Sequence, residues 1–222
     1  MTKVSLVFDD GFAKSSLLTA KIFEARGLGA SFAVLVDSSD IYPDMPKGDF
    51  NLWNELQDRG HIIQPHGYDH SDLTKVPFDV AKSKIDACLI YFSSHLKGFD
   101  QSKVIYHLTY NRSTSKVDDY LLSKVKAIRT TGPEGRAGSG MNNETELAHR
   151  VYNCSWHGPE HCDEHLMTTL RRAEAERPKF LMYMLHGLDN EGWGPLRAST
   201  LENALDYIIQ SPLLDYVDTS VL

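Results

Sequence analysis

The chain has 222 residues, of which 41% are hydrophobic and 24% are charged, and its formal net charge is −7. The acidic balance and the absence of any block of Lys or Arg argue against a nucleic-acid partner. No apolar run approaches the ~18 residues of a membrane span, and three cysteines are too few for a disulfide framework. The amino-terminal segment lacks the pattern of a secretion signal, so we expect a cytoplasmic location.

Short apolar segments alternate with amphipathic ones along the chain. Helices are predicted between the strands, and a glycine-rich loop is predicted over 131–143. The predicted strands are 4–8, 31–36, 61–64, 104–108, 126–130, 151–154 and 180–185, with a terminal strand beginning at Val217. The predicted helices are 14–26, 49–60, 77–98, 117–125, 159–176 and 196–209.

This alternation predicts an α/β fold, in which a parallel sheet is connected by helical crossovers. About seven βα units without a dinucleotide-binding fingerprint favour a (β/α) barrel over an open doubly wound sheet. We expect residues 1–222 to form a single domain. In such barrels the catalytic side chains lie where strands end and loops begin.

Three predicted strands end in residues that can bind a metal or transfer a proton. The first ends in Asp9 and Asp10, the third is followed by His66 and His70, and the strand over 180–185 leads into His186. Taken alone, each has an ordinary explanation, such as a turn or a structural histidine. Because the carboxyl ends of parallel strands meet on one face, their conjunction indicates a shared site.

These segments resemble the polysaccharide deacetylases, the NodB-homology or carbohydrate esterase 4 family. Residues 7–11 resemble the first family motif, residues 60–70 the second, and Leu185-His186 the fifth. The resemblance implies a distorted (β/α) barrel that holds one divalent metal ion, with Zn²⁺ favoured.

The resemblance also implies a role for each residue at the strand ends. It implies that Asp10, His66 and His70 bind the metal, that Asp9 is the general base and that His186 is the general acid. Two imidazoles and one carboxylate leave positions open on a metal, as catalytic sites require. A bound ion activates water and polarises a carbonyl, and a departing amine needs a proton.

The chain departs from the third family motif, which normally supplies an arginine that orients the base. His107 stands in that position, and it is a candidate substrate contact. Arg112 and Arg129 are the candidate replacements for the arginine, and we favour Arg129, which lies in the next predicted strand and could reach the mouth of the barrel from there. The backbone N–H of Tyr110 keeps the position that stabilises the oxyanion in the family.

The fourth motif is not recognisable. Trp156 and Trp193 are candidates for an apolar wall against the acetyl methyl, and Trp193 is favoured because it follows His186 closely. Further along, histidines and cysteines cluster without the spacing of a standard zinc motif, and we interpret them as incidental. The members of that cluster are Cys154, His157, His161, Cys162 and His165.

The predicted function is a metal-dependent hydrolase that removes an acetyl group from an N-acetylated sugar. Two alternatives stay open: a deacylase for another amide or an O-acetyl ester, and a catalytically impaired relative that binds saccharides. The expected partner is therefore a saccharide or another small acylated compound, with no nucleic acid and no membrane span.

Overall fold

The computed structural model describes residues 1–222. None of its helices combines the length and the apolar composition that crossing a bilayer requires. The strands are β1 (Thr2–Asp9), β2 (Ser31–Leu35), β3 (Ile62–Gly67), β4 (Ile105–His107), β5 (Ala127–Arg129), β6 (Met141–Asn142), β7 (Val151–Tyr152), β8 (Phe180–Leu185) and β9 (Leu214–Tyr216). The helices are α1 (Ala13–Glu24), α2 (Phe50–Asp58), α3 (Phe78–His95), α4 (Ser115–Leu122), α5 (Glu144–His149), α6 (Cys162–Glu176) and α7 (Ala198–Gln210).

Strand β1 is the centre of the larger sheet, whose order is β3-β2-β1-β8-β6. It pairs in parallel with β8 along most of its length, with β2 at its carboxyl end and with β9 at its amino end. Only β6 runs antiparallel, against β8. Strands β1 and β8 are almost entirely buried, and β8 is apolar along its whole length, which is the pattern of strands covered by helices on the outside.

A smaller parallel sheet, in the order β4-β5-β7, completes the barrel. Beyond β7, Ser155 pairs with β8 by donating its N–H to Met182 and accepting from Met184. On the other side, a hydrogen bond from the His66 ring to the His107 carbonyl joins β3 to β4. The resulting ring of strands confirms the predicted distorted (β/α) barrel.

The structure corrects several predicted boundaries. The terminal strand is β9, which ends before Val217, and the Asp218 carboxylate then caps a short 3₁₀ turn. The glycine-rich loop over 131–143 contains β6, and α5 follows it. Helix α6 begins at Cys162 instead of residue 159, since His161 precedes it in the left-handed region. By contrast, the Asp49 carboxylate caps α2 as predicted, by accepting from two backbone N–H groups.

The turn after β1 depends on a glycine. Gly11 has φ +73°, and a Cβ there would lie 2.8 Å from the Trp53 ring. Trp53 is fully buried on α2 and packs on Phe32 of β2. The chain can therefore leave β1 sharply over the packed core, which brings Asp9 and Asp10 to the mouth of the barrel.

Candidate active site

A cavity of about 650 Å³ opens at the carboxyl ends of the barrel strands. This volume lies within the range of small-ligand sites. Nine residues were predicted for the site, and seven of them line the cavity: Asp9, Asp10, His66, His70, Tyr110, His186 and Trp193. The two others, His107 and Arg129, lie behind its wall.

Three of the lining residues form a cluster that can hold a metal ion. The Nε2 atoms of His66 and His70 both lie 3.4 Å from Oδ1 of Asp10. One candidate ligand atom from each residue lies within 4.8 Å of the other two. Oδ1 of Asp10 is buried and has no hydrogen-bond partner. An orphaned carboxylate oxygen facing two imidazole nitrogens is a donor set that fits a divalent ion.

The two histidines present the same ring nitrogen to Asp10 but are held differently. His66 donates from Nδ1 to the carbonyl of His107 at 2.9 Å, which fixes the ring with Nε2 facing Asp10, whereas Nδ1 of His70 is buried without a partner. His70 has a left-handed backbone with φ 54°, as Asp10 does with φ 71°. Such conformations are uncommon for residues other than glycine and are concentrated at functional sites.

Burial and mutual charge set the ionisation of the cluster. Burial opposes the charged form of Asp10, but contacts with His66 and the charge of His186 hold its pKa below its usual value. Burial lowers the pKa of His70 to about 4. For His66, burial acts in the same direction, but Asp9 and Asp10 outweigh it and raise its pKa. At neutral pH the cluster therefore offers a carboxylate and at least one neutral imidazole.

Asp9 is fixed by Arg129. The guanidinium donates through Nη1 and Nη2 to the two carboxylate oxygens at 2.8 and 2.6 Å. Both side chains are buried, with exposed fractions of 0% for Arg129 and 1% for Asp9. The second oxygen of Asp9 lies 3.6 Å from Nε2 of His66. The favoured arginine thus reaches Asp9 from β5, while Arg112 donates to Asp72.

His107 does not fill the role of a substrate contact. Its side chain is fully buried and is not part of the cavity wall. Its Nε2 lies 2.6 Å from Oε1 of Gln64, and burial holds its pKa well below its usual value. The neutral ring fills the space beneath the site, and the backbone carbonyl of His107 orients His66.

His186 lies at the end of β8, beside Trp193. The two rings are 5.2 Å apart and meet edge to face, and burial lowers the pKa of His186. The loop that follows is fastened to α1, where Ser15 accepts from Leu188 N–H and donates its own N–H to the buried Glu191 carboxylate. Glu191 thereby caps a helix whose N-cap residue provides no side-chain bond.

Tyr110 projects into the cavity from the loop after β4. Its side chain is 51% exposed, its ring lies 4.6 Å from that of His70, and its φ is 56°. The role of its backbone N–H towards an oxyanion stays a prediction.

Sequence reasoning missed several lining residues. Met184 precedes His186 by two positions on β8, so strand alternation places both on the same face. Asn111 is buried, has φ 52° and follows Tyr110, and nothing in the sequence signals that conformation. The remaining missed residues are Asp40, Ile41, Tyr42, Lys75 and Gly135. The less favoured candidates Arg112 and Trp156 also line the cavity.

The sequence model of the polysaccharide deacetylase family matches residues 2–130. The chain belongs to the polysaccharide deacetylase family. That match spans β1 to β5 and so includes Asp9, Asp10, His66, His70 and Arg129. No curated protein matches the chain by sequence.

Solved structures share the fold of this polysaccharide deacetylase family member at low sequence identity. A family 4 acetyl xylan esterase from Clostridium thermocellum, in complex with a cobalt ion, has a TM-score of 0.63 at 12% identity and covers 99% of this chain and 89% of its own. The chitin deacetylase of Colletotrichum lindemuthianum has a TM-score of 0.62 at 13% identity, covering 99% and 86%. Bacillus subtilis PdaA, a family 4 carbohydrate esterase, has a TM-score of 0.58 at 15% identity, covering 100% and 80%.

Proposed function

We propose that the chain is a metal-dependent hydrolase that removes the acetyl group from an N-acetylated sugar. The observation that carries this proposal is the buried, unpartnered Oδ1 of Asp10, which faces two histidines beside the carboxylate of Asp9. Membership of the family supports the acetylated carbohydrate. The related folds include a chitin deacetylase and an acetyl xylan esterase, which is consistent with that substrate class.

We propose that Asp10, His66 and His70 hold the metal. Zn²⁺ is the favoured ion, because two imidazoles and one carboxylate are a donor set of catalytic zinc sites. When bound, such an ion supplies Lewis acidity towards the acetyl carbonyl and acidifies a water molecule.

In this proposal Asp9 accepts the proton of the attacking water. Arg129 donates to both of its oxygens and so holds the carboxylate in one side-chain conformation, in which it can accept the proton without first reorienting. Its second oxygen lies 3.6 Å from Nε2 of His66, and this proximity supports a base that acts beside the proposed metal ligands.

His186, in its protonated form, then donates a proton to the sugar nitrogen as the C–N bond breaks. Burial opposes that form, but the charges of Asp10 and Asp9 favour it. An amine leaves as a neutral group only if it is protonated, which makes a positioned acid necessary. Trp193 packs against this ring and gives the acetyl methyl an apolar wall. The backbone N–H of Tyr110 is assigned to the developing oxyanion.

Acetate release tests this proposal. The purified protein with Zn²⁺ is assayed on N-acetylated and O-acetylated saccharides, before and after chelation. We expect preference for the N-acetyl compounds, loss of activity on chelation, and a decrease of at least about 100-fold in Asp9→Asn. Asp215→Asn is the matched control, because Asp215 is exposed on β9, pairs with Lys3 at the opposite end of β1 from Asp9, and is outside the cavity wall. Asp9→Asn acting as fast as the parent would contradict the mechanism.

The same panel decides between the alternatives. Preference for O-acetyl esters would identify an esterase instead of an amide hydrolase. Binding of saccharides without acetate release under any divalent metal would identify a non-catalytic relative.

A further inference from the structure

Two basic side chains line the cavity without a part in the proposed chemistry. Lys75 lies in the loop that follows β3, and Arg112 lies in the loop that follows β4. These are the same two loops that carry His70 and Tyr110. Both cations therefore border the space that an acetylated sugar occupies.

Arg112 is held in a fixed orientation. Its Nη1 donates to Oδ2 of Asp72 at 3.0 Å, and its Nε donates to the carbonyl of Glu134 at 3.2 Å. Gly135 leaves room for the arginine, since a Cβ there would lie 2.5 Å from Cγ of Arg112. Nη2 donates to no acceptor in the protein, so one amino group of an otherwise anchored guanidinium is free for a ligand.

The charges at this edge of the cavity do not cancel. Nζ of Lys75 lies 3.5 Å from Oδ2 of Asp72, the same oxygen that Arg112 contacts. Two positive charges thus share one negative charge, and the Asp72 side chain is only 7% exposed. Asp40 also lines the cavity, but it forms no ion pair with either cation.

Local positive charge is more important for binding an anion in this acidic chain than it would be in a chain without net charge. The net charge of −7 repels anions at long range, so an anionic ligand needs specific cations at its site. A guanidinium with a free amino group is well suited to a carboxylate or a phosphate, because charge-assisted hydrogen bonds are the strong ones.

We infer that Arg112, with Lys75 beside it, binds an anionic group carried by the acetylated sugar. This inference rests on the proposed function and names its substrate class: an N-acetylated saccharide with a carboxylate or a phosphate. The neutral acetyl-bearing ring lies over Asp10 and Asp9, and its anionic substituent extends towards the loops after β3 and β4.

The test compares substrates that differ in charge. The Zn²⁺-loaded protein is assayed with N-acetylglucosamine, N-acetylglucosamine 6-phosphate and N-acetylmuramic acid, which carries a carboxylate. We expect kcat/KM for at least one anionic compound to exceed that for the neutral sugar roughly tenfold or more. The compound with the higher kcat/KM shows whether the site prefers a phosphate or a carboxylate.

Variants assign the preference to Arg112. In Arg112→Met the ratio of charged to neutral kcat/KM is expected to fall close to one, and Arg112→Lys is expected to retain part of it. Arg136→Met is the matched control, because Arg136 lies in the same glycine-rich loop as Gly135, pairs with Glu134 and is outside the cavity wall. It should keep the parental ratio.

A binding measurement separates this inference from the proposed function. Calorimetry on the metal-free protein compares N-acetylglucosamine 6-phosphate and N-acetylmuramic acid with N-acetylglucosamine, for the parent and for Arg112→Met. Tighter binding of an anionic sugar that disappears in the variant supports the inference even if no compound releases acetate. Equal kcat/KM and equal binding for charged and neutral sugars would overturn it and leave the proposed function standing.

Discussion

Two histidine clusters in the same chain share a sequence spacing but differ in structure. His66 and His70 are four residues apart, and so are His161 and His165. The first pair converges on Asp10, and these three residues are the one group in the chain with three ligand atoms within 4.8 Å of one another. Around the second pair no such group forms.

The difference lies in what surrounds the imidazoles. In the second cluster His165 bonds to the hydroxyl of Tyr183 at 2.8 Å, and the exposed His157 bonds to the Glu160 carbonyl at 2.7 Å. The acid nearest to His161 is Glu164, and both side chains are exposed to solvent. The spacing of two histidines is therefore insufficient, and a buried carboxylate delivered by another strand is what completes a site.

The largest expected difference between the two clusters is the effect on Zn²⁺ affinity of removing one histidine from each. We expect His66→Ala to reduce Zn²⁺ affinity by more than the 10–100-fold that loss of an outer hydrogen-bond partner costs, because it removes one of the three proposed ligands. His161→Ala is the matched control and should leave affinity unchanged. Competition titration with a fluorescent chelator measures both, and equal losses in the two variants would contradict the assignment.

The ion pairs of the two clusters should also differ in how much each contributes to the free energy of unfolding. Arg129→Met leaves the Asp9 carboxylate buried without its partner, which is expected to cost about 3–5 kcal/mol of unfolding free energy in the metal-free protein. Glu164→Gln removes an exposed partner of His161 and should change stability by less than about 0.5 kcal/mol. Urea denaturation measures both values. A small effect for Arg129→Met would show that the buried pair does not form.

Trp193 joins the two regions, because its ring contacts His186 and Trp156 and leaves no room for a Cβ at Gly158. We expect Trp193→Ala to raise KM about 3–10-fold, since an aromatic wall is lost from the cavity. Zn²⁺ affinity should not change, because the aromatic contacts of Trp193 are with Trp156 and His186 and with none of the three proposed ligands. Steady-state kinetics and the same chelator titration check this, and a lost metal would assign Trp193 a structural role instead.

The smallest effect concerns the pH response of the second cluster. Burial, and to a lesser extent His157, lowers the pKa of His165 below 6.5. The folded state thus binds this proton less readily than the unfolded chain, so its stabilising contribution is present above pH 6.5 and decreases as pH falls below it. His165→Gln should show a slightly weaker loss of stability between pH 7 and 5. An unchanged or steeper dependence would contradict this account.

The sequence predicted which residues at the strand ends meet in one cavity better than it predicted the loops between the strands. Asp9, Asp10 and His186 could be placed because a buried strand leads directly to each of them. Arg129 could be proposed because it lies in the next predicted strand, and its hydrogen bonds to Asp9 are present in the structure. His107 was placed wrongly at the substrate, since alignment with a motif does not reveal which way a side chain points.

Other features had no local signal. The left-handed conformations of Tyr110 and Asn111 result from the packing of their loop, not from their residue types. Glu191 caps α1 from 176 residues away, which no sequence window contains. Strand β6 has two residues and so cannot show a periodicity. Tertiary contacts decide such elements, and only the structure reveals them.

Anomalous diffraction from crystals of the Zn²⁺-loaded protein tests the central claim most directly. The account predicts one zinc ion per chain, bound by Asp10, His66 and His70, with Asp9 still paired to Arg129. Two results would contradict it. One is zinc bound only among His157, His161 and His165, and the other is an empty site in protein that releases acetate at full rate.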